Sequence, residues 1–280
     1  MLRTPRARRR HDATQVRLPN TFNGIFPYVM RGRNESILYY PIQIEAKPLL
    51  DFVAASKGTD HEMSLFEAMV VCLVKLLRDR PTLNRYVAGR RLWQRRDVVI
   101  SFIAKREYSD DAPETNIQIR VRPEDDLANL LAQVRGQISA VKSGQDGHGD
   151  KVIATFMKMP RFVLRTAVSA IRFWDFYADT PGFLRGTDPL RCSAFISNLG
   201  SVGIDAPYHH LYEWGTCSVF MAVGKAHKQV VVGPDGAPAV ADVINLRMAL
   251  DERICDGYYD ARSLDCFEEY LTNPELLTSI

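Results

Sequence analysis

The stretch Asp251-Glu252-Arg253-Ile254-Cys255-Asp256-Gly257 joins two segments of different period near the C-terminus. Before it, Ala241 to Leu250 alternates, with Ile244, Leu246, Met248 and Leu250 on one face, which predicts a strand resting on a core. After it, Tyr259 to Leu271 has the apolar spacing of a helix. The seven residues therefore form a strand-to-helix corner. Gly257 allows a backbone turn there that a Cβ would hinder.

A second segment, Ile196-Ser197-Asn198-Leu199-Gly200-Ser201-Val202-Gly203-Ile204, lies upstream, followed by the apolar run Cys217 to Gly224. Taken together and at this separation, the segments resemble the acyltransferase cores of 2-oxo acid dehydrogenase complexes and the related chloramphenicol acetyltransferases. In those families the corner reads His-x-x-x-Asp-Gly, and the His is the general base that takes the thiol proton of CoA or lipoamide. Here that position is Glu252, while Asp251, Arg253, Asp256 and Gly257 keep the pattern. The resemblance implies a two-layer α/β (α+β sandwich) fold of the chloramphenicol acetyltransferase type, with a mixed sheet and helices on one side. It implies assembly as a homotrimer or a multiple of trimers with active sites between subunits. Ser197 corresponds to the serine that hydrogen-bonds the oxyanion, with Asn198 beside it. Similarity fades toward the N-terminus, where only the order helix, Pro-x-Leu-Asn, strand, strand is shared.

Acyl transfer needs a base for the acceptor proton and a donor for the oxyanion. A neutral imidazole suits the first task because its pKa of about 6.5 lies near working pH, whereas a carboxylate at about 4.3 must be desolvated to compete. Glu252 is thus either an altered base or an inactivating replacement. Asp256 is expected to be structural: in the family it pairs with an N-terminal arginine, for which Arg31 is the closer match and Arg33 the alternative. Tyr208 to Gly215 adds His209 and His210, a second source of imidazole, in a region without such density in the family. With Glu213 they also suggest a metal, but adjacent histidines rarely face one ion and no third ligand stands at useful spacing, so no metal is expected. Cys255 occupies a usually apolar position and reads as a small core residue.

Composition sets the outer limits. The 280 residues carry a net charge of +3, with 46% apolar and 25% charged residues, the profile of an ordinary globular chain. Residues 1–19 read as a basic disordered arm, with Arg3, Arg6, Arg8, Arg9 and Arg10, and residues 20–280 as one acyltransferase-core-like domain. No aromatic RNA-binding motif follows the arm, so nucleic acid is not an expected partner. No transmembrane run or secretory h-region is visible, and the cytoplasm is the default location. Five cysteines without metal spacing read as free thiols. Ser64-x-x-Glu67 is a capping box opening a helix that Pro81 closes. Strands are predicted from Arg96 to Ala104 and from Asn116 to Val121, a helix from about Glu124, and a loop from Ser143 to Lys151. An extra helical segment around 155–190 departs from the family; Arg161 to Trp174 sets Arg161, Arg165 and Arg172 on one stripe beside a wide apolar face. That helix either packs on the core or a neighbouring subunit, or shelters an acyl chain or touches a membrane surface.

Two functions follow as expectations. One is a stand-alone acyltransferase using a coenzyme A thioester or carrier-bound acyl group as substrate, with no bound cofactor. The other is a catalytically silent trimeric scaffold of the same fold. No lipoyl domain, linker or subunit-binding domain precedes the core, so acyl groups are expected on a diffusible carrier or a lipoyl-bearing partner chain.

Overall fold

A computed structural model describes residues 9–17, 22–105, 114–144, 154–233 and 235–280. Its centre is a mixed sheet of seven strands in the order β2 (Ile37–Glu45), β10 (Pro238–Asp251), β8 (Val219–Val223), β7 (Ala194–Asn198), β5 (Val98–Lys105) and β6 (Glu114–Val121), with β9 (His227–Val232) pairing the outer half of β10. Pairing is parallel for β5–β7 and β7–β8 and antiparallel elsewhere. The alternation along β10 holds, since Ile244, Leu246, Met248 and Leu250 are all buried on one face.

That face packs against the helical layer: α2 (Lys47–Ala55), α3 (Leu65–Asp79), α4 (Leu127–Lys142) and α6 (Gly257–Thr272). Helix α3 is the keystone, with Ala68 to Val74, Leu76 and Leu77 buried without a polar face between them. Ser64 and Glu67 cap its start reciprocally, the expected capping box, and Arg80-Pro81 follows its end. The predicted C-terminal helix is longer by about a turn in total, because Asp256 acts as its cap. The opposite sheet face carries a smaller cluster, Phe195, Phe220, Ala222 and Ala249 covered by Cys192, Leu211 and Cys217.

Residues 9–17 depart from the expected disordered arm, while residues 1–8 lie outside the described residues. Strand β1 (Ala13–Gln15) joins a three-stranded sheet with β4 (Arg91–Arg95) and β3 (Arg85–Ala88). The physical reason is charge matching: buried Arg10 pairs with Asp175 and lies over the Trp93 ring, 5.5 Å from its centroid. Asp12 pairs with Arg95 and accepts the Tyr86 hydroxyl at 2.9 Å. Burial alone would push the Asp12 carboxyl up, but Arg95, His11 and the Tyr86 hydroxyl outweigh it and hold it below the ordinary range. Arg10 thus reads as solvated only while its acids, more than 160 residues away, are unseen.

The loop predicted from Ser143 to Lys151 lies mostly outside the described residues. The inserted helix α5 (Arg161–Tyr177) is present, preceded by a helical turn at 154–157. None of its residues is fully buried; Val163, Leu164, Ala167, Val168 and Ile171 are half-buried. Among the described residues no helix is long and apolar enough to cross a membrane. All five cysteines are unpaired.

Removing Arg95 leaves the half-buried Asp12 without its arginine and strips donors from the Cys192 and Thr216 carbonyl oxygens. Arg95→Ala is therefore expected to lower stability by about 3–5 kcal/mol, read from the urea midpoint at constant slope. Unchanged unfolding would mean that the arm does not contribute to the folded unit.

Candidate active site

The 251–257 corner is held by one buried ion pair. Arg253 grips Asp251 with two parallel bonds, Nε to Oδ1 at 2.8 Å and Nη2 to Oδ2 at 2.7 Å, and both side chains are almost wholly buried. The Ser36 hydroxyl adds a bond to Asp251 Oδ1 (3.1 Å), and Arg253 Nη1 donates to the Met30 carbonyl oxygen (3.0 Å). The end of β10 is thereby tied to the loop before β2. Glu252 sits between them. Its backbone N–H donates to the Ser36 carbonyl oxygen at 3.0 Å, while its half-buried carboxylate has no hydrogen-bond partner among the described residues.

Asp256 is exposed and caps α6, its Oδ1 accepting the Tyr259 N–H at 2.9 Å. This differs from the expected arginine pair. Among the described residues no bond joins Asp256 to Arg31 or Arg33, and the buried aspartate–arginine pair of the corner is Asp251–Arg253 instead. Gly257 opens the helix at its first turn, but a Cβ there would meet open space and the backbone is not left-handed, so the turn does not require glycine as the sequence suggests. Arg31 is exposed, and its backbone N–H bonds Glu35. Arg33 is buried: its Nη2 donates to the Val87 carbonyl oxygen (3.1 Å) and its Nη1 to that of Glu213 (3.4 Å).

Glu213 is a residue whose role the sequence hid. Its carboxylate accepts the backbone N–H groups of Arg33 (3.1 Å) and Asn34 (2.9 Å). Gly32 makes room for it, because a Cβ there would stand 2.7 Å from the carboxylate. The histidine segment is thus bolted to the loop that carries Ser36. No pattern in the sequence signals this, since the partners are about 180 residues apart.

The histidines are packed. His209 stacks on Phe220, centroids 4.0 Å apart and rings within 3° of parallel, and His210 stacks on His209 at 4.9 Å. Each Nδ1 faces a carbonyl oxygen, that of His210 and Leu211 respectively, so each carries its proton on Nδ1 and leaves Nε2 as acceptor. Burial holds the His209 imidazole below its ordinary value, keeping it neutral. Among the described residues they form no metal cluster with Glu213; a three-ligand grouping arises instead from His11, Asp12 and Asp179, all already engaged with one another or with arginines.

Ser197 is the penultimate residue of β7, half-buried, with no bond to its hydroxyl among the described residues. With Asn198 it lines a cavity of about 370 Å³ whose other walls include Phe66, Phe102, Ile138 and Val202. In register Ser197 faces Ala222, which faces Arg247. Glu252 lies five residues further along β10, roughly 16 Å at ~3.3 Å per residue, and two strands across. One chain therefore does not bring Ser197 and Glu252 together. His209 is nearer in register: Phe220, on which it stacks, pairs with Phe195, two residues before Ser197 on the same sheet face.

Behind the corner, Cys255 donates its S–H to Asp260 Oδ1 at 2.8 Å, and Asp260 Oδ2 is buried without a partner. Burial, with Asp256, Glu252 and Asp251 nearby, pushes the Asp260 carboxyl up. Burial and Asp260 likewise push the Cys255 thiol up, so it is an inert donor rather than a nucleophile.

Comparison with known proteins follows the same outline. Residues 187–279 match the model of the 2-oxoacid dehydrogenases acyltransferase (catalytic domain) family. The chain matches none of the curated proteins. The fold is similar to the cubic core of the pyruvate dehydrogenase multienzyme complex, at 16% identity and TM-score 0.60, covering 94% of each chain. It is similar to the dihydrolipoamide acetyltransferase of Azotobacter vinelandii, at 15% identity and TM-score 0.59 over 94% of each, a protein in which a serine, a histidine and an asparagine have been studied for roles in catalysis. A chloramphenicol acetyltransferase aligns at 12% identity and TM-score 0.55, over 92% of this chain and 99% of that one. The chain is thus built on the acyltransferase-core fold. Its C-terminal third carries the sequence pattern of that catalytic domain.

Asp260 supplies a test of the packing behind the corner. Its raised folded value means that, as pH climbs past the ordinary carboxylate range, the unfolded chain releases a proton which the fold retains, so stability falls. Asp260→Asn removes that loss. The variant is expected to gain melting temperature over the parent, with a gap that widens from about pH 4 to about pH 7. A gap independent of pH would place the carboxyl elsewhere.

Proposed function

We propose that this chain is an acyl-transfer core acting on a coenzyme A thioester or a carrier-bound acyl group, with Ser197 stabilising the oxyanion and an altered base. The observation that carries this is Ser197, its hydroxyl without a bond among the described residues, at the border of a cavity and within a segment matching the acyltransferase family, together with a corner that presents Glu252 at the strand end. Retired sites have no need to keep either. Because Ser197 and Glu252 are separated within one chain, their joint action requires a second copy, as in a trimer with channels between subunits. Exposed apolar side chains support such assembly: Phe22, Ile25, Tyr28 and Val29 on helix α1 (Phe22–Val29), and Phe162, Phe173 and Trp174 on α5. A concentration-independent mass of 31.7 kDa by light scattering would refute it.

The roles follow from position. The Ser197 hydroxyl donates to the oxyanion as the acceptor thiolate or alkoxide attacks the thioester carbonyl carbon. The acceptor proton passes to Glu252, or to the Nε2 of His209 or His210, and then to the leaving thiolate. Asp256 caps α6 and keeps the corner fixed, as do Asp251 and Arg253. A second reading, a silent scaffold, is favoured by one fact: position 252 has no imidazole.

Substitution separates these. Ser197→Ala is expected to lower acyl transfer by roughly 10²–10³-fold without altering the melting temperature. Glu252→His rebuilds His-x-x-x-Asp-Gly, and in a chain lacking a working base it should raise CoA-dependent thioester exchange by ~10²–10⁴-fold. Where Glu252 already serves, the same change gains nothing; where an imidazole serves, His209→Ala or His210→Ala abolishes turnover. No exchange in any variant, with no acyl-CoA binding at millimolar concentration, leaves the scaffold.

A further inference from the structure

Helix α5 lines two adjoining cavities that share Trp214 as a wall, and neither Ser197, Glu252 nor Asp256 borders them. They differ in chemistry. The first, about 330 Å³, is almost wholly apolar, walled by Leu164, Val168 and Ile171 of α5 and by Leu184, Leu190 and Trp214. Its carboxylate, Asp188, is already engaged by Trp214 Nε1 (2.6 Å), Arg191 Nε (3.1 Å) and the Leu190 N–H (3.1 Å). That volume is at the lower end of small-ligand sites, which run from about 300 to 1,000 Å³.

The second cavity, about 310 Å³, is polar and carries three arginines, Arg33, Arg172 and Arg191, against Asp175 and Glu213. Both acids are occupied. Asp175 is held by Arg10, by Arg191 at 3.1 Å and by the Thr180 hydroxyl at 3.3 Å, and Glu213 by the Arg33 and Asn34 backbone. Two guanidinium groups are left without a carboxylate bond among the described residues. Arg172 is exposed and placed 5.9 Å from the Trp214 ring centroid. Arg33 is only 6% exposed, bonds two carbonyl oxygens, and has its Nε buried without a partner. Burial holds the Arg33 guanidinium below its ordinary value despite Asp251 and Glu213 nearby, as expected of a buried charge incompletely compensated.

We propose that the two chambers form one binding site for a medium-chain monocarboxylate, with its hydrocarbon tail in the apolar chamber and its carboxylate on Arg172, facing Arg33. The tail removes apolar wall from water. The head supplies the negative charge that the arginine chamber lacks, in a charge-assisted bond to a planar donor set. Trp214, fixed by Asp188, marks the border between them. This assignment stands apart from acyl transfer and does not depend on it.

Isothermal titration of the full-length protein with decanoate and with 1-decanol near neutral pH tests it. Decanoate is expected to bind about tenfold or more tighter than decanol, the worth of one charged hydrogen bond. Arg172→Gln, at an exposed helix position, should abolish that preference while leaving decanol binding unchanged. Val168→Trp, which fills the apolar chamber, should weaken both ligands; circular dichroism confirms that each variant is folded. Equal affinity of acid and alcohol for the parent chain, retention of the preference in Arg172→Gln, or no heat at millimolar decanoate would each overturn the assignment.

Discussion

The bidentate pair between Arg253 and Asp251 is the constraint on which the corner depends. A buried ion pair returns little net stability against two desolvated charges, but losing either partner is costly, so the pair fixes geometry more than it adds stability. Here it fixes the last residue of β10 and, through Ser36 and the Met30 carbonyl oxygen, the loop that precedes β2. Because β2 and β10 are neighbours in register from Ile37↔Asp251 to Glu45↔Val243, the two strands are clamped at the end where Glu252 emerges. The same clamp leaves Glu252 with its backbone engaged and its carboxylate free. That combination suits a group meant to face something outside the chain.

Glu213 extends the clamp. It holds the 32–34 backbone, and its neighbour Trp214 is pinned by Asp188, so the histidine segment, the N-terminal loop and the inserted region form one hydrogen-bonded body. The stacked pair His209 and His210 belongs to the same body and rests on Phe220 above the sheet. Burial in that packing keeps His209 neutral, and the pair lies on the Ser197 face rather than at the Glu252 end.

Much of this architecture is legible in the chain because it is periodic. The alternation of Ile244 to Leu250, the capping box at Ser64 and Glu67, and the helical spacing after Tyr259 are local signals, and the structure keeps each of them. The family pattern at 196–204 and 251–257 gives the fold directly. What stays hidden is non-local and polar. Arg10 looks like part of a solvated arm until Asp175 is set beside it, and Asp256 looks like an arginine's partner until α6 starts one residue later. Asp251 and Arg253, two residues apart, form the pair that pattern reading assigns to Asp256 and the N-terminal arginines.

The inserted helix and the N-terminal strand depend on each other. Helix α5 has no fully buried residue, so its own apolar face does not account for its docking. Its C-terminal end is held by charge instead: Asp175 by Arg10 and Arg191, and just beyond it Asp179 by His11 and Arg185. Burial would raise the Asp179 carboxyl, but His11 and the neighbouring backbone donors reverse this and hold it low, so it stays ionised for the clamp. The N-terminal half of α5 has no comparable ion pairs among the described residues, and its half-buried side chains are the apolar Val163, Leu164, Ala167 and Val168. Helix α5 is thus anchored by charge at its C-terminal end and by apolar contact along its N-terminal half, and through Asp175 the helix and residues 9–17 hold each other in place.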